Sequence, residues 1–174
     1  KEKDCLEDLR VYLTRCGQEI VDRAINIKVK NAEILWVYSD VEPVPFNKGY
    51  YTIDLRYFFK IGLEVFTGCG RPTYVEGLAT FEKKTILYGS EGNAKIYTSK
   101  YKPADYDVIE SVKSNLPKTV VEVVDPIALN ARFVDKDSCC NCCDVSSIPS
   151  EICRCFDDDL VVSGSNRTVL VTLG

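Results

Sequence analysis

Between residues 51 and 65 the chain alternates without a break. Tyr51, Ile53, Leu55, Tyr57, Phe59, Ile61, Leu63 and Val65 share one parity, while Thr52, Asp54, Arg56, Lys60 and Glu64 share the other. Successive side chains of an extended backbone point to opposite faces, so the pattern predicts a strand with one buried and one wet face. At about 3.3 Å per residue such a strand spans about 50 Å, well beyond the usual length. It must either bend between two sheets or run past its own domain toward a partner.

The flanking sequence keeps a period of two. Ile25, Ile27 and Val29 lie on one parity, and Ile34, Trp36 and Tyr38 on the other, which places a bulge or bend around residues 30–33. Pro43 and Pro45 make residues 41–46 a loop or a sheet edge. Gly68, Gly70 and Pro72 form a turn, after which residues 74–88 read as one or two strands. Residues 89–93 are expected to form a turn, 94–101 a short strand and 105–113 a short helix. The β-branched runs 119–124 and 127–134 are separated by Asp125 and Pro126, and strands at 160–162 and 168–173 complete the series.

Upstream, Leu6, Leu9, Leu13, Cys16 and Ile20 recur at steps of three and four, and Asp4 with Glu7 has the form of a capping box. This predicts an amphipathic helix over residues 5–22, interrupted by Gly17, with Cys16 on its buried stripe. The expected fold is mainly β, with antiparallel sheets in a sandwich or barrel-like arrangement behind an N-terminal amphipathic helix. The expected organisation is a helix over 1–23, a β-rich domain over 24–135, a cysteine-cluster loop over 136–159 and the start of a further β segment over 160–174. The apolar run 169–173 is expected to pair with sequence beyond residue 174.

An apolar fraction of 45% beside 28% charged residues is that of a packed globular chain. A net charge of −4 disfavours a phosphate-binding surface and hence a nucleic-acid partner. No apolar run is long enough to span a bilayer, so no membrane span is expected. The chain contains no histidine, which rules out Ser-His-Asp and Cys-His sites and points away from an enzyme. Asp157, Asp158 and Asp159 lack the spacing of an EF-hand loop and read as a solvated turn. Gly68 and Gly70 lack the rest of a dinucleotide fingerprint, and Asn166-Arg167-Thr168 matches a glycosylation acceptor that is common by chance.

Nine cysteines are present, and six of them lie between Cys139 and Cys155. Cys139, Cys140, Cys142 and Cys143 make a C-C-x-C-C run, and Cys153 and Cys155 follow as C-x-C. One reading is a thiolate zinc or iron–sulfur site, with Cys139, Cys142, Cys153 and Cys155 as the four ligands. Another is covalent cross-linking. Adjacent cysteines do not pair without strain, and an odd total leaves one thiol over, so some sulfurs reach other segments or other molecules. Cys69, between two glycines, joins the six as a cross-link candidate. A redox site is disfavoured, because the flanking sequence is turn-like and acidic.

Several stretches carry a resemblance: AEILWVYSDVEPVPFNKGYYTIDLRYFFKIGLEVF (residues 32–66), KKTILYGSEGNAKIYTS (83–99), VEVVDPIALNARFVD (121–135) and TVLVTLG (168–174). Together with the C-C-x-C-C cluster they resemble a cysteine-rich family of clostridial spore-forming bacteria associated with the spore coat. The resemblance implies a structural role with no catalytic residues and no cofactor. Its partners would be copies of itself and other spore-coat proteins, in an ordered layer at the spore surface. Synthesis in the reducing mother-cell cytoplasm would let the chain fold before its thiols are locked by oxidation. The competing expectation is a cytosolic β-domain whose zinc or iron–sulfur module binds another protein.

Overall fold

The long alternation becomes one strand, β3 (Tyr50–Phe66). Tyr51, Ile53, Phe59, Ile61, Leu63 and Val65 are buried, as their shared parity requires, while Phe58 is equally buried on the opposite face. The computed structural model describes residues 5–68, 70–89, 117–135, 148–161 and 167–174. The other strands are β1 (Leu6–Leu13), β2 (Asn26–Pro43), β4 (Thr73–Tyr88), β5 (Ala128–Asp135) and β6 (Arg167–Leu173), with short helices α1 (Arg15–Asp22) and α2 (Ser150–Cys153). The protein is therefore mainly β. Its strands form one antiparallel six-stranded sheet in the order β2-β3-β4-β1-β6-β5.

The chain divides into two compact units. The first comprises Lys1–Tyr38, Arg56–Glu82 and Glu122–Gly174. Its main apolar cluster takes Val11 and Leu13 from β1, Ile27 from β2, Phe59 to Val65 from β3, Val75 and Ala79 from β4, and Val169, Val171 and Leu173 from β6, with Val21 of α1 and Phe133 of β5 against them. Both edge strands thus face the same cluster. The backbone N–H of Ile34 in β2 donates to the Asp125 carboxylate just before β5 (3.0 Å). Each fully buried Leu, Ile or Val here contributes roughly 1.5–3 kcal/mol. The cluster includes Ile27 and Val29 but also Ala32 and Ile34, so the inward parity of β2 changes between Val29 and Ala32. Asn31 lies at that change and accepts a hydrogen bond from the Tyr74 hydroxyl (3.2 Å). Gly62 of β3 lies directly beneath this pair, where a Cβ would collide with both side chains.

The amphipathic helix expected over residues 5–22 is instead a strand followed by a helix. β1 bulges between Leu6 and Leu9, where Asp8 takes φ 55. The extra residue brings Leu6 and Leu9 to one face, so a bulged strand imitates the three-residue step of a helix. Leu9, Val11 and Leu13 then alternate as a strand should. α1 begins only at Arg15, with Thr14 as its N-cap accepting from the Gly17 N–H (3.2 Å). Its inward residues are Gly17, Gln18 and Val21, so Cys16 is exposed rather than part of the core. Gly17 has a packing reason: a Cβ there would stand 2.6 Å from Val75 Cγ1.

One further expectation changes. Residues 119–124 form no strand, and Val120 and Val124 are exposed. β6 is paired with β1 on one side and with β5 on the other. The expected elements at 94–101 and 105–113 lie outside the described residues.

The second unit comprises Ser39–Leu55 and Lys83–Val121. A turn at residues 44–47 is closed by the Asn47 N–H donating to Val44 O (3.2 Å), and Val44 N–H donates to Tyr50 O (2.9 Å). Tyr50 and Tyr88 meet edge to face at 5.5 Å. Gly49, at φ 84, lies under the Tyr88 ring, where a Cβ would come within 2.7 Å of Cε2. Among the described residues no helix is long and apolar enough to cross a membrane.

Candidate cross-linking site

Segment 148–161 carries the two described cysteines of the C-terminal cluster. Its position is set by apolar anchoring. Ile152 of α2 and Phe156 are buried against Tyr12, Phe58 and Leu78, on the face of the sheet opposite the main cluster. One turn separates the two anchors, and the residues between them point outward. Cys153 and Cys155 are accordingly exposed thiols, with the Cys155 sulfur donating to Glu151 O (3.5 Å). Lys60 holds its ammonium 5.7 Å from the centre of the Phe156 ring and 2.8 Å from Glu76. The Glu76 hydrogen bond raises the Lys60 pKa despite partial desolvation. Tyr38 of β2 has its phenol pKa raised, by burial first and then by the nearby Glu151 charge.

Backbone bonds tie the segment's end to the start of α1. Arg15 N–H donates to Asp159 O (3.1 Å), Val161 N–H donates to Leu13 O (2.7 Å), and Leu160 bridges Thr14. The Asp158 carboxyl is held below the usual carboxylate range by the backbone N–H of Asp159, then by the backbone N–H and thiol of Cys16 and the Arg15 charge, against some desolvation. The acidic turn thus caps a helix end while remaining at the surface. Ile148, Phe156 and Leu160 form the apolar lining of a groove of ≈ 510 Å³ whose polar lining is Cys153 and residues 157–159.

The structure brings Cys153 and Cys155 together on one rigidly seated segment. Cys16 comes near its acidic turn through Asp158. Cys5 is also an exposed free thiol. Cys69, Cys139, Cys140, Cys142 and Cys143 lie outside the described residues, as does Asn166. The four-cysteine metal set is therefore seen only at Cys153 and Cys155. Among the described residues no three Cys, Asp or Glu side chains converge on a metal position. The anchors Ile152 and Phe156 went unnoticed in the sequence, and Asp158 was read only as part of a solvated turn. The four-residue step from Ile152 to Phe156, flanking both cysteines, was the available signal.

Comparison with protein families, with curated proteins and with solved structures finds no match.

Proposed function

We propose that this chain is a structural, self-assembling subunit of an ordered protective layer at the surface of a bacterial spore, reinforced by cysteine cross-links. The observation that carries the reading is the seating of Cys153 and Cys155. A thiol that only fills space is buried, whereas these two are held outward by Ile152 and Phe156, in position to react with another molecule. Cross-linking between subunits needs such fixed, accessible sulfurs. Cys5 and Cys16 add two more on the same unit. The curl of the sheet around one cluster supports a barrel-like unit, a rigid body suited to packing in an array. The edge strands β2 and β5, with Trp36, Tyr38 and Leu129 exposed on them, offer contact surface for neighbouring copies.

Non-reducing against reducing gel analysis of the full chain, with elemental analysis of the same sample, tests the reading. Covalent ladders that collapse to monomer with reductant, and no stoichiometric metal, are the expected result. A single monomer band carrying bound zinc or iron would overturn it in favour of a thiolate metal module.

A further inference from the structure

Cys153 and Cys155 stand two residues apart on a backbone that is helical throughout. Cys153 N–H donates to Pro149 O (3.3 Å), Arg154 N–H to Ser150 O (3.1 Å), Cys155 N–H to Ile152 O (3.1 Å) and Phe156 N–H to Cys153 O (3.2 Å). The turn therefore runs past the end of α2 as far as Phe156, with Arg154 at φ −67 and ψ −13. At 3.6 residues per turn, side chains two positions apart point about 200° apart around the axis. Ile152 and Phe156, four apart, share the face docked on Tyr12, Phe58 and Leu78. The two cysteines consequently leave the turn on opposite flanks of that face.

The surroundings of the two sulfurs agree with this. Cys153 lines the groove with Ile148, Phe156 and Leu160, toward the acidic turn. Cys155 is not among the lining residues, and its sulfur leans back along the helix to Glu151 O at 3.5 Å. A disulfide needs Cβ atoms about 3.5–4.5 Å apart, and a shared zinc needs both sulfurs about 2.3 Å from one point. Divergent side chains on a docked helical turn meet neither requirement unless the turn unwinds. Burial of Ile152 and Phe156, at 4% and 8% exposure, opposes that unwinding.

We infer that Cys153 and Cys155 do not pair with each other in the folded protein, and that each bonds a separate thiol, so the C-x-C turn links its subunit to two different neighbouring copies. A neighbour approaching one flank reaches one sulfur, and a second link recruits a second copy. Each link forms by exchange: one protein thiolate attacks a low-molecular-weight disulfide and releases one small thiol, then the neighbour's thiolate attacks the mixed disulfide and releases the other. Two protein thiols are oxidised and one small disulfide is reduced. This rests on the cross-linking reading and names how many partners that site takes.

The test uses the full chain with every other cysteine replaced by serine, its fold checked by circular dichroism, and oxidised glutathione as the oxidant. In large excess of oxidant, intact mass is expected to show two glutathione caps on each folded chain. In limiting oxidant, non-reducing gels are expected to show ladders beyond the dimer, and adding Cys153→Ser or Cys155→Ser should stop them at the dimer. An uncapped folded chain that has lost two hydrogens is a closed C-x-C and would overturn the inference, while wild-type ladders through the other cysteines would keep the cross-linking reading. Oxidation that stops at dimers with both sulfurs present would also overturn it. Two caps but no linked chains, in this variant or in the wild type, would instead remove the cross-linking reading and leave the divergence of the sulfurs standing. If the serine variant does not fold, the wild type still decides. Trypsin cuts after Arg154 and parts the two cysteines, so a Cys153–Cys155 bond survives as a joined pair of peptides, located by fragmentation. Finding that pair in the folded wild type would overturn the inference, and finding each sulfur bonded elsewhere is the expected result.

Discussion

Asp8 and Arg132 clasp each other across β6: the Asp8 carboxylate takes Arg132 Nη2 at 2.8 Å and Nε at 3.1 Å. The pair locks the bulge in β1 to β5, two strands away in the sheet. Both side chains are more than half exposed, at 54% and 55%, so the ion pair itself contributes only about 0.2–1 kcal/mol. The backbone matters as much. Asp8 sits at φ 55, where alanine is strained by about 1–2 kcal/mol and glycine is not.

Asp8→Ala is therefore expected to lower unfolding free energy by about 1–2 kcal/mol, adding strain to the lost ion pair. Asp8→Gly should change it by less than about 0.5 kcal/mol, because relief of strain offsets the lost pair. Urea denaturation of both variants separates the two terms. Equal losses in the two would mean that the bulge is not the strained point it is taken to be.

Glycines give a sharper contrast. A Cβ on Gly77 of β4 would meet Val11 Cγ1 at 2.5 Å, Leu13 Cδ2 at 2.9 Å and the Tyr12 backbone oxygen at 2.9 Å. The last is part of a paired strand and cannot give way, so Gly77→Ala should destabilise by about 2–3 kcal/mol through overpacking. Gly68, with nothing within 4 Å of its built Cβ, should accept alanine within about 0.5 kcal/mol. Thermal unfolding of the two variants side by side reads this difference. A neutral Gly77→Ala would show that β1 and β4 do not pack in the register Leu13 to Gly77.

The same residues show what the sequence could disclose. β3 and β4 were legible because each runs many residues with a constant inward parity. β1 was not, because the bulge at Asp8 inserts one residue and turns a two-residue period into the Leu6–Leu9 step of a helix. Phe58 falls on the parity of the wet face, Leu78 lies in a stretch read only as strand, and Tyr12 lies in the expected helix, so none of the three stands out as core. They are buried because segment 148–161 folds back over them, a long-range contact that no local period encodes. The cysteines of the site were evident from composition, but their exposure depends on Ile152 and Phe156 docking on Tyr12, Phe58 and Leu78, residues far away in the sequence. Val120 to Val124 show the converse: a β-branched run can read as a strand by composition and still stay out of the sheet.

Acid should act at the junction of α1 and the acidic turn. The folded pKa of Asp158 is depressed, so its contribution is fully present above the unfolded value near about 3.9 and is lost as pH falls through the lower folded value. Asp158→Asn should flatten the stability profile below about pH 4 and leave its shape above pH 5 unchanged. Denaturant midpoints measured from pH 2.5 to 7 check the sign. A variant whose profile kept the wild-type slope in acid would place the responsible carboxylate elsewhere.

The link between packing and thiol chemistry can be broken from either side. Cys153→Ser and Cys155→Ser change exposed atoms only, so each should leave the unfolding midpoint within about 0.5 kcal/mol of wild type while removing one reactive sulfur. Phe156→Ala empties a position that is 8% exposed and seated against Tyr12 and Phe58, and should cost about 3 kcal/mol. Both sulfurs remain in that variant, but the segment that fixes their direction is loosened. Under mild oxidation it should therefore give a broader set of disulfide partners by peptide mapping than the wild type, with alkylation rates in the reduced state unchanged because the thiols are already accessible. If Phe156→Ala cross-links in the wild-type pattern, the direction of these thiols is set by something other than the Ile152–Phe156 anchor, and exposure alone governs their pairing.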